Sequence, residues 1–345
     1  MHDPCPIPPI PWLAAAVQPL ADALNLPTLP LHIHEVLGSA LVYSVIFWPV
    51  SPVLSRLCFP NHYPQLSRSR RLNWDAHVVS MLQSVLINAV ALWVLAVDTD
   101  RKHNDWEHRV WAYTGADAMV QAMAAGYFLW DLVVTAMNLH IFGLGTLAHA
   151  VSALAVYSLG FRPFVNHYAC IFILWELSTP FLNIHWFLDK LNMTGSKLQA
   201  YNGAMLIFTF FSCRLVFGTY QSYLIMQDIW AAINVVPPIA RSGADLVAGA
   251  AGVHRFTTAD SAVPVWLGLA YLASNITLNS LNFYWFVKMI QAVTKRFTPV
   301  QTPVAPHAKP DSASYASAVQ AEREALRRRK AGVEEERALL DEAGL

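Results

Sequence analysis

Four ionisable side chains fall where the chain is most apolar: Asp131, His149, Glu176 and Arg214. A charged group turned to lipid costs about 2.5–3.5 kcal/mol or more, so each should face protein or a water-filled cavity. His149 can serve as a general base toward an amine or hydroxyl if partners are in reach, or it can be a hydrogen-bonded structural residue. Asp131 or Glu176 could orient that imidazole. Arg214 either closes an ion pair with Glu176 or Asp131, or meets the headgroup of a bound lipid.

The densest of these regions is Leu174–Lys190, LWELSTPFLNIHWFLDK. It sets Glu176, Asn183 and His185 among Leu, Phe and Trp. Pro180 has no N–H to give and clashes with the preceding turn, so a helix here should kink and free carbonyls for neighbours. On a regular helix Glu176, Pro180 and Asn183 share roughly one face, which makes Glu176 and Asn183, with Trp175 beside them, candidate substrate contacts. His185, Asp189 and His140 fall near predicted helix ends and read as interfacial.

Other apolar stretches carry polar stripes. Asp131, Thr135 and Asn138 lie within about one helical face, and Ser152 accompanies His149. Arg214, Gln221 and Asp228 recur at sevens, as do Asn275 and Asn282, with Asn279 between them. The asparagines read as interhelical hydrogen bonds contributing about 1 kcal/mol or less each. Together the stripes imply a bundle with a polar or wet interior.

The elements that must hold these residues follow from composition. Of 345 residues, 55% are hydrophobic and 13% charged, whereas a soluble domain carries about a quarter charged residues. The balance indicates a polytopic membrane protein. A formal net charge of +0 gives no reason to expect nucleic acid. Cys5, Cys58, Cys170 and Cys213 have neither CxxC nor Cys/His ligand spacing, so no metal site or disulfide framework is expected. Cys170 and Cys213 read as core residues.

A span needs about 20 apolar residues. Seven stretches qualify: 34–57, 77–98, 118–142, 145–160, 164–188, 200–227 and 264–293. The short join through Gly143 and Gly145 makes the third and fourth an antiparallel hairpin. Residues 1–33 are Pro-rich without a basic start and apolar run, so the first span should act as the targeting signal. Residues 228–263 read as a loop or interfacial helix. From 297 to 345 a Pro-rich linker leads into a charged, Ala/Glu/Arg-rich helix outside the membrane, a possible contact for a protein partner. Arg56, Arg68, Arg70, Arg71, Lys190, Lys197, Lys295 and Arg296 gather on the side of the C-terminus. That bias places the C-terminus in the cytosol and the N-terminus in a lumen. The sequon at Asn192-Met-Thr194 would then stay unmodified.

Four pieces, in order, carry a family resemblance. They are Asn73-Trp74-Asp75 running into Val78-Val79-Ser80; Gly126-Tyr-Phe-Leu-Trp-Asp131; Glu176-Leu-Ser-Thr-Pro180-Phe-Leu-Asn183 with Trp186-Phe187; and Asn282-Phe-Tyr-Trp285-Phe286. Over residues 70–296 the chain resembles the TLC-domain family, which includes the ceramide synthases and the TRAM proteins, and within it the branch outside the ceramide synthases. The resemblance implies a ring of six membrane helices around a cavity that admits an acyl chain, with 34–57 as an extra N-terminal helix outside it. The fold class expected is therefore all-α, a bundle of about seven spans.

The resemblance also implies a setting: the endoplasmic reticulum or another endomembrane, a role in lipid homeostasis, and a membrane lipid as partner. Ceramide synthases have adjacent histidines where this chain has Ala148-His149, and an H-D-x-S-D segment where it has Glu176–Pro180. Gln83 stands where many members have a histidine. Two activities remain open. One is a lipid-binding protein without a cofactor. The other is an N-acyltransferase of the ceramide-synthase type, using acyl-CoA as co-substrate, with His149 and Asp131 catalytic. A cargo receptor or translocon accessory is a third reading.

Overall fold

The computed structural model describes residues 1–102, 105–235, 256 and 262–297. The expected charged tail helix and most of the 228–263 region lie outside them. Among the described residues every regular element is helical.

The first helix, α1 (Pro11–Leu24), falls in the stretch expected to be only a Pro-rich segment. Pro11 sits in its first turn, where a missing N–H is harmless, and Asn25 ends it in the left-handed conformation at φ 54°. The span α2 (Leu29–Cys58) begins before the expected residue 34, because Pro30 is also in a first turn. A widened π turn at Ile46–Val50 accommodates Pro49.

Next come α3 (Arg68–Val97), a short α4 (Trp106–Trp111) and α5 (Gly115–Met137). Ser67, Asp105 and Thr114 cap these three by accepting from backbone N–H groups in their first turns. The apolar run predicts a third span reaching residue 142, but Asn138 leaves helical geometry and ends it at Met137. In α6 (Leu139–Leu159), Gly143 breaks the first turn at φ 80°, a region open to glycine. The tight reversal thus lies at residues 138–143, and α5 and α6 pack side by side.

The fifth span, α7 (Asn166–Lys190), is irregular, and α8 (Lys197–Ile233) carries a π segment at Phe211–Phe217. Among the described residues six helices, α2, α3 and α5–α8, are long and apolar enough to cross a membrane. The last, α9 (Val265–Phe297), has 33 residues, ample length for a span, but its asparagines dilute its apolar stretch.

The chain divides into units Met1–Asn282 and Phe283–Leu345. Within the first, α2 packs along α5, α3 packs on both α5 and α7, and α7 packs on α8. Gly126 makes the α2–α5 contact possible: a Cβ there would collide with the Val36 carbonyl and Ser39. Around it Tyr43 and Phe47 of α2 meet Tyr127 and Trp130 of α5, edge to face or tilted, at 5.3–6.5 Å between centroids. Small residues that let helix backbones approach are the usual device for packing in lipid. Large side chains such as Leu41, Trp48, Phe208 and Trp230 are exposed, as a lipid-facing surface requires.

Candidate functional site

The site grows from two departures from α-helical geometry that face each other. In α7 the chain winds as a 3-10 helix over Ile173–Ser178, and regular α resumes at Thr179 with Pro180 in its first turn. Pro180 cannot donate to the turn before it, which loosens that turn. Opposite, the π segment of α8 carries Arg214 at its centre. A π turn fits an extra residue into one turn and so re-aims the side chains on it.

Arg214 is buried and almost fully engaged. Its Nε donates to the Trp175 carbonyl (2.9 Å) and to Ser178 Oγ (3.1 Å). Nη2 donates to Thr179 Oγ1 (3.1 Å) and approaches Glu176 Oε1 at 3.5 Å, and Nη1 donates to Asn282 Oδ1 (3.1 Å). The guanidinium also lies 5.0 Å from the centre of the Phe210 ring. Of the two carboxylates considered, Glu176 is the ion-pair partner. Both charges are buried, so much of their attraction offsets desolvation, and the neutral donors and acceptors around them complete the site.

This ionic cluster borders a cavity of about 820 Å³, counted out to its open mouth. Trp175, Glu176 and Arg214 line it with His149 of α6, while Phe128, Tyr157, Phe172 and Ile225 represent its mainly apolar walls. His149 is half-buried, with its ring edge-on to Phe128 at 5.9 Å. Gln121 lies on the wall too, its amide donating to the Tyr157 carbonyl and accepting from Asn166. On α9, Tyr271, Asn275 and Leu278 line it; the Tyr271 hydroxyl donates to the Val156 carbonyl of α6, and Asn275 and Asn279 donate to Ser222 of α8. Gly218 lies against Trp175 so closely that a Cβ would collide with the indole.

Two predicted residues lie elsewhere. Asn183 is fully buried against α3, accepting from His77 Nδ1 (2.7 Å) and donating to Ser80 Oγ (3.1 Å), and is not on the cavity wall. The shared face expected for Glu176 and Asn183 fails for a physical reason: the 3-10 stretch advances three residues per turn, so a 3.6-residue wheel misplaces the residues beyond it. Asp131 is half-buried on α5, accepts from Thr135 Oγ1 at 3.4 Å, and does not line the cavity. Gln83 is fully buried, and both polar atoms of its side chain lack a partner among the described residues.

Sequence reading missed a polar cluster at one end of α8. Asp228 accepts from Arg109 Nε (2.6 Å) and Nη2 (2.7 Å) and from the Tyr168 hydroxyl (2.6 Å). The hydrogen bonds and charge of Asp228 hold the Arg109 guanidinium above its ordinary pKa despite partial burial. The recurrence of Asp228 seven residues after Gln221 hinted at an inward face, but nothing in the sequence marked Arg109 as its partner.

Comparison with known proteins bears on the same helices. The family model for the TLC domain matches residues 73–291, from the start of α3 almost to the end of α9, and so takes in every residue on the cavity wall. The chain is 40% identical over 281 residues to an uncharacterized TLC domain-containing protein of Schizosaccharomyces pombe, covering 81% of this chain and 85% of that one. It is 30% identical over 278 residues to topoisomerase I damage affected protein 4 of Saccharomyces cerevisiae, covering 79% and 88% of the two chains. To human TLC domain-containing protein 4 it is 24% identical over 260 residues, covering 74% and 87%. No solved structure matches. The chain belongs to the TLC domain family, in a branch distinct from the ceramide synthases.

Proposed function

We propose that this multi-pass membrane protein holds an acyl chain or sphingoid lipid in the cavity between α6, α7, α8 and α9, and through it influences membrane lipid composition. The cavity carries the reading. Its walls are mainly apolar with a few polar groups gathered among them, the usual character of a small-ligand site. Aliphatic and aromatic walls suit a hydrocarbon tail, and the Glu176–Arg214 end suits a polar headgroup. Trp175 and His149 complete that end.

Mass spectrometry of lipid extracted from the detergent-purified protein tests this. Wild type should carry a lipid in near-stoichiometric amount. Ala153→Trp, which fills the apolar wall, should lose most of it while the protein remains monodisperse. Equal lipid in the two proteins, or none in wild type, would overturn the reading.

The position of His149 on the cavity wall favours a second activity, N-acyl transfer from acyl-CoA to a long-chain base. His149 would take the amine proton as nitrogen attacks the thioester carbonyl and the CoA thiolate leaves. Microsomes given acyl-CoA and a long-chain base should form an amide that His149→Ala abolishes; no product in wild type excludes this activity. The setting we propose is the endoplasmic reticulum or a related endomembrane, with a lumenal N-terminus and cytosolic C-terminus. Glycosylation tags placed at either end would report it.

A further inference from the structure

The N-terminal segment folds back onto the start of α2, and where it lands three groups of different chemistry converge. One donor atom each from Cys5, His34 and Glu35 lie within 4.8 Å of one another. His34 is 7% exposed and Glu35 6%.

Hydrogen bonds define what each residue has left to offer. His34 Nε2 lies 2.9 Å from the Ile7 carbonyl, which can only accept. Nε2 therefore carries the proton, and Nδ1 is a bare lone pair. That Nδ1 is buried and has no partner among the described residues. Glu35 Oε2 accepts from His32 Nδ1 at 2.8 Å, and His32 Nε2 in turn accepts from the Tyr113 hydroxyl at 2.6 Å. This holds the Glu35 carboxylate in place and occupies both nitrogens of His32. The other oxygen, Glu35 Oε1, is likewise buried without a partner. Two buried acceptors, His34 Nδ1 and Glu35 Oε1, thus share one small space with the Cys5 thiol, whose S–H is a weak donor within reach of Glu35. Buried polar groups are seldom left so, and a cation that displaces the thiol proton would engage all three at once.

We propose that Cys5, His34 and Glu35 bind a zinc ion through the Cys5 sulfur, His34 Nδ1 and Glu35 Oε1. Mixed thiolate, imidazole and carboxylate donors suit this borderline metal. Binding forms the sulfur–zinc bond and releases the Cys5 thiol proton to solvent. Asp3, whose carboxylate lies within 4.8 Å of Glu35 and His32, is at hand for a fourth position. His32 is a positioning residue, holding Glu35 as second partners of metal ligands commonly do. The site ties the N-terminal segment to α2. No motif announces it, because α1 separates Cys5 from the His34-Glu35 pair in the sequence.

The full chain, purified in detergent through a tag without histidine, allows the test with zinc and with cobalt(II) as probes. Elemental analysis should find close to one zinc per chain. Cobalt should give a thiolate charge-transfer band that Cys5→Ser removes and that Cys58→Ser, at an exposed cysteine, leaves unchanged. His32→Ala should weaken cobalt affinity by about 10–100-fold while the band keeps its shape. Should Cys5→Ser fail to fold, alkylation of wild type decides: zinc should slow labelling of Cys5, chelation should restore it, and Cys58 should label equally in both states. A chain that binds neither metal, a band that survives Cys5→Ser, or labelling of Cys5 indifferent to zinc would overturn the proposal.

Discussion

Arg214 and Glu176 are the pair on which the site depends, and a single substitution does not weigh their value fairly. Arg214→Met leaves Glu176 buried without its counter-charge and should cost roughly 3–5 kcal/mol in chemical denaturation in detergent. Joining it to Glu176→Met should recover most of that loss, because an apolar pair of similar size needs no desolvation. A double variant as unstable as the single one would mean that the remaining partners of Arg214 carry the stability. The ionic pairing was legible because an arginine in an apolar stretch must find an acid. The choice of Glu176 over Asp131 was not, since it depends on which helix faces α8. Asn183 misled for the opposite reason: it is polar and central, but His77 and Ser80 already satisfy it.

At the scale of the helices, two glycines set distances that larger residues would break. Gly126→Val should push α2 off α5 and cost about 1–3 kcal/mol, measurable as a lower melting temperature. Gly218→Ala acts on the site itself by displacing the Trp175 indole. It should lower the co-purifying lipid and shift tryptophan fluorescence together; unchanged lipid beside shifted fluorescence would show that Trp175 does not shape the binding space. Helix placement along the chain was readable from apolar runs of the right length, and the early α1 could have been found from Pro11 and Asn25. Pro180 signalled a departure before it, though not its 3-10 form, and the π turn around Arg214 has no comparable local signal.

In the described spans, Glu176, Arg214, Asn183 and Asn282 are buried while Leu41, Trp48, Phe208 and Trp230 are exposed, the arrangement a bilayer solvent selects. Asp228 extends this pattern to the end of the membrane region by tying α4 to α8. Asp228→Asn should therefore loosen α4, costing about 1.5–3 kcal/mol as a charged acceptor is lost. Faster hydrogen exchange over Trp106–Trp111, with α5 unaffected, would register the change. That long-range tie, like the meeting of Cys5 with α2, lies beyond periodicity, since a sequence pattern constrains one helix at a time.

The widened turn at Phe211–Phe217 has a genetic consequence. Removing a single codon there, for example that of half-buried Cys213, would let the segment relax to an ordinary α-helix with both flanking stretches still in phase. The polypeptide would insert and assemble, yet its guanidinium would swing off Glu176. An in-frame lesion of three nucleotides should thus yield a correctly threaded protein that bears the same penalty of roughly 3–5 kcal/mol as Arg214→Met and lacks the ionic end of its cavity.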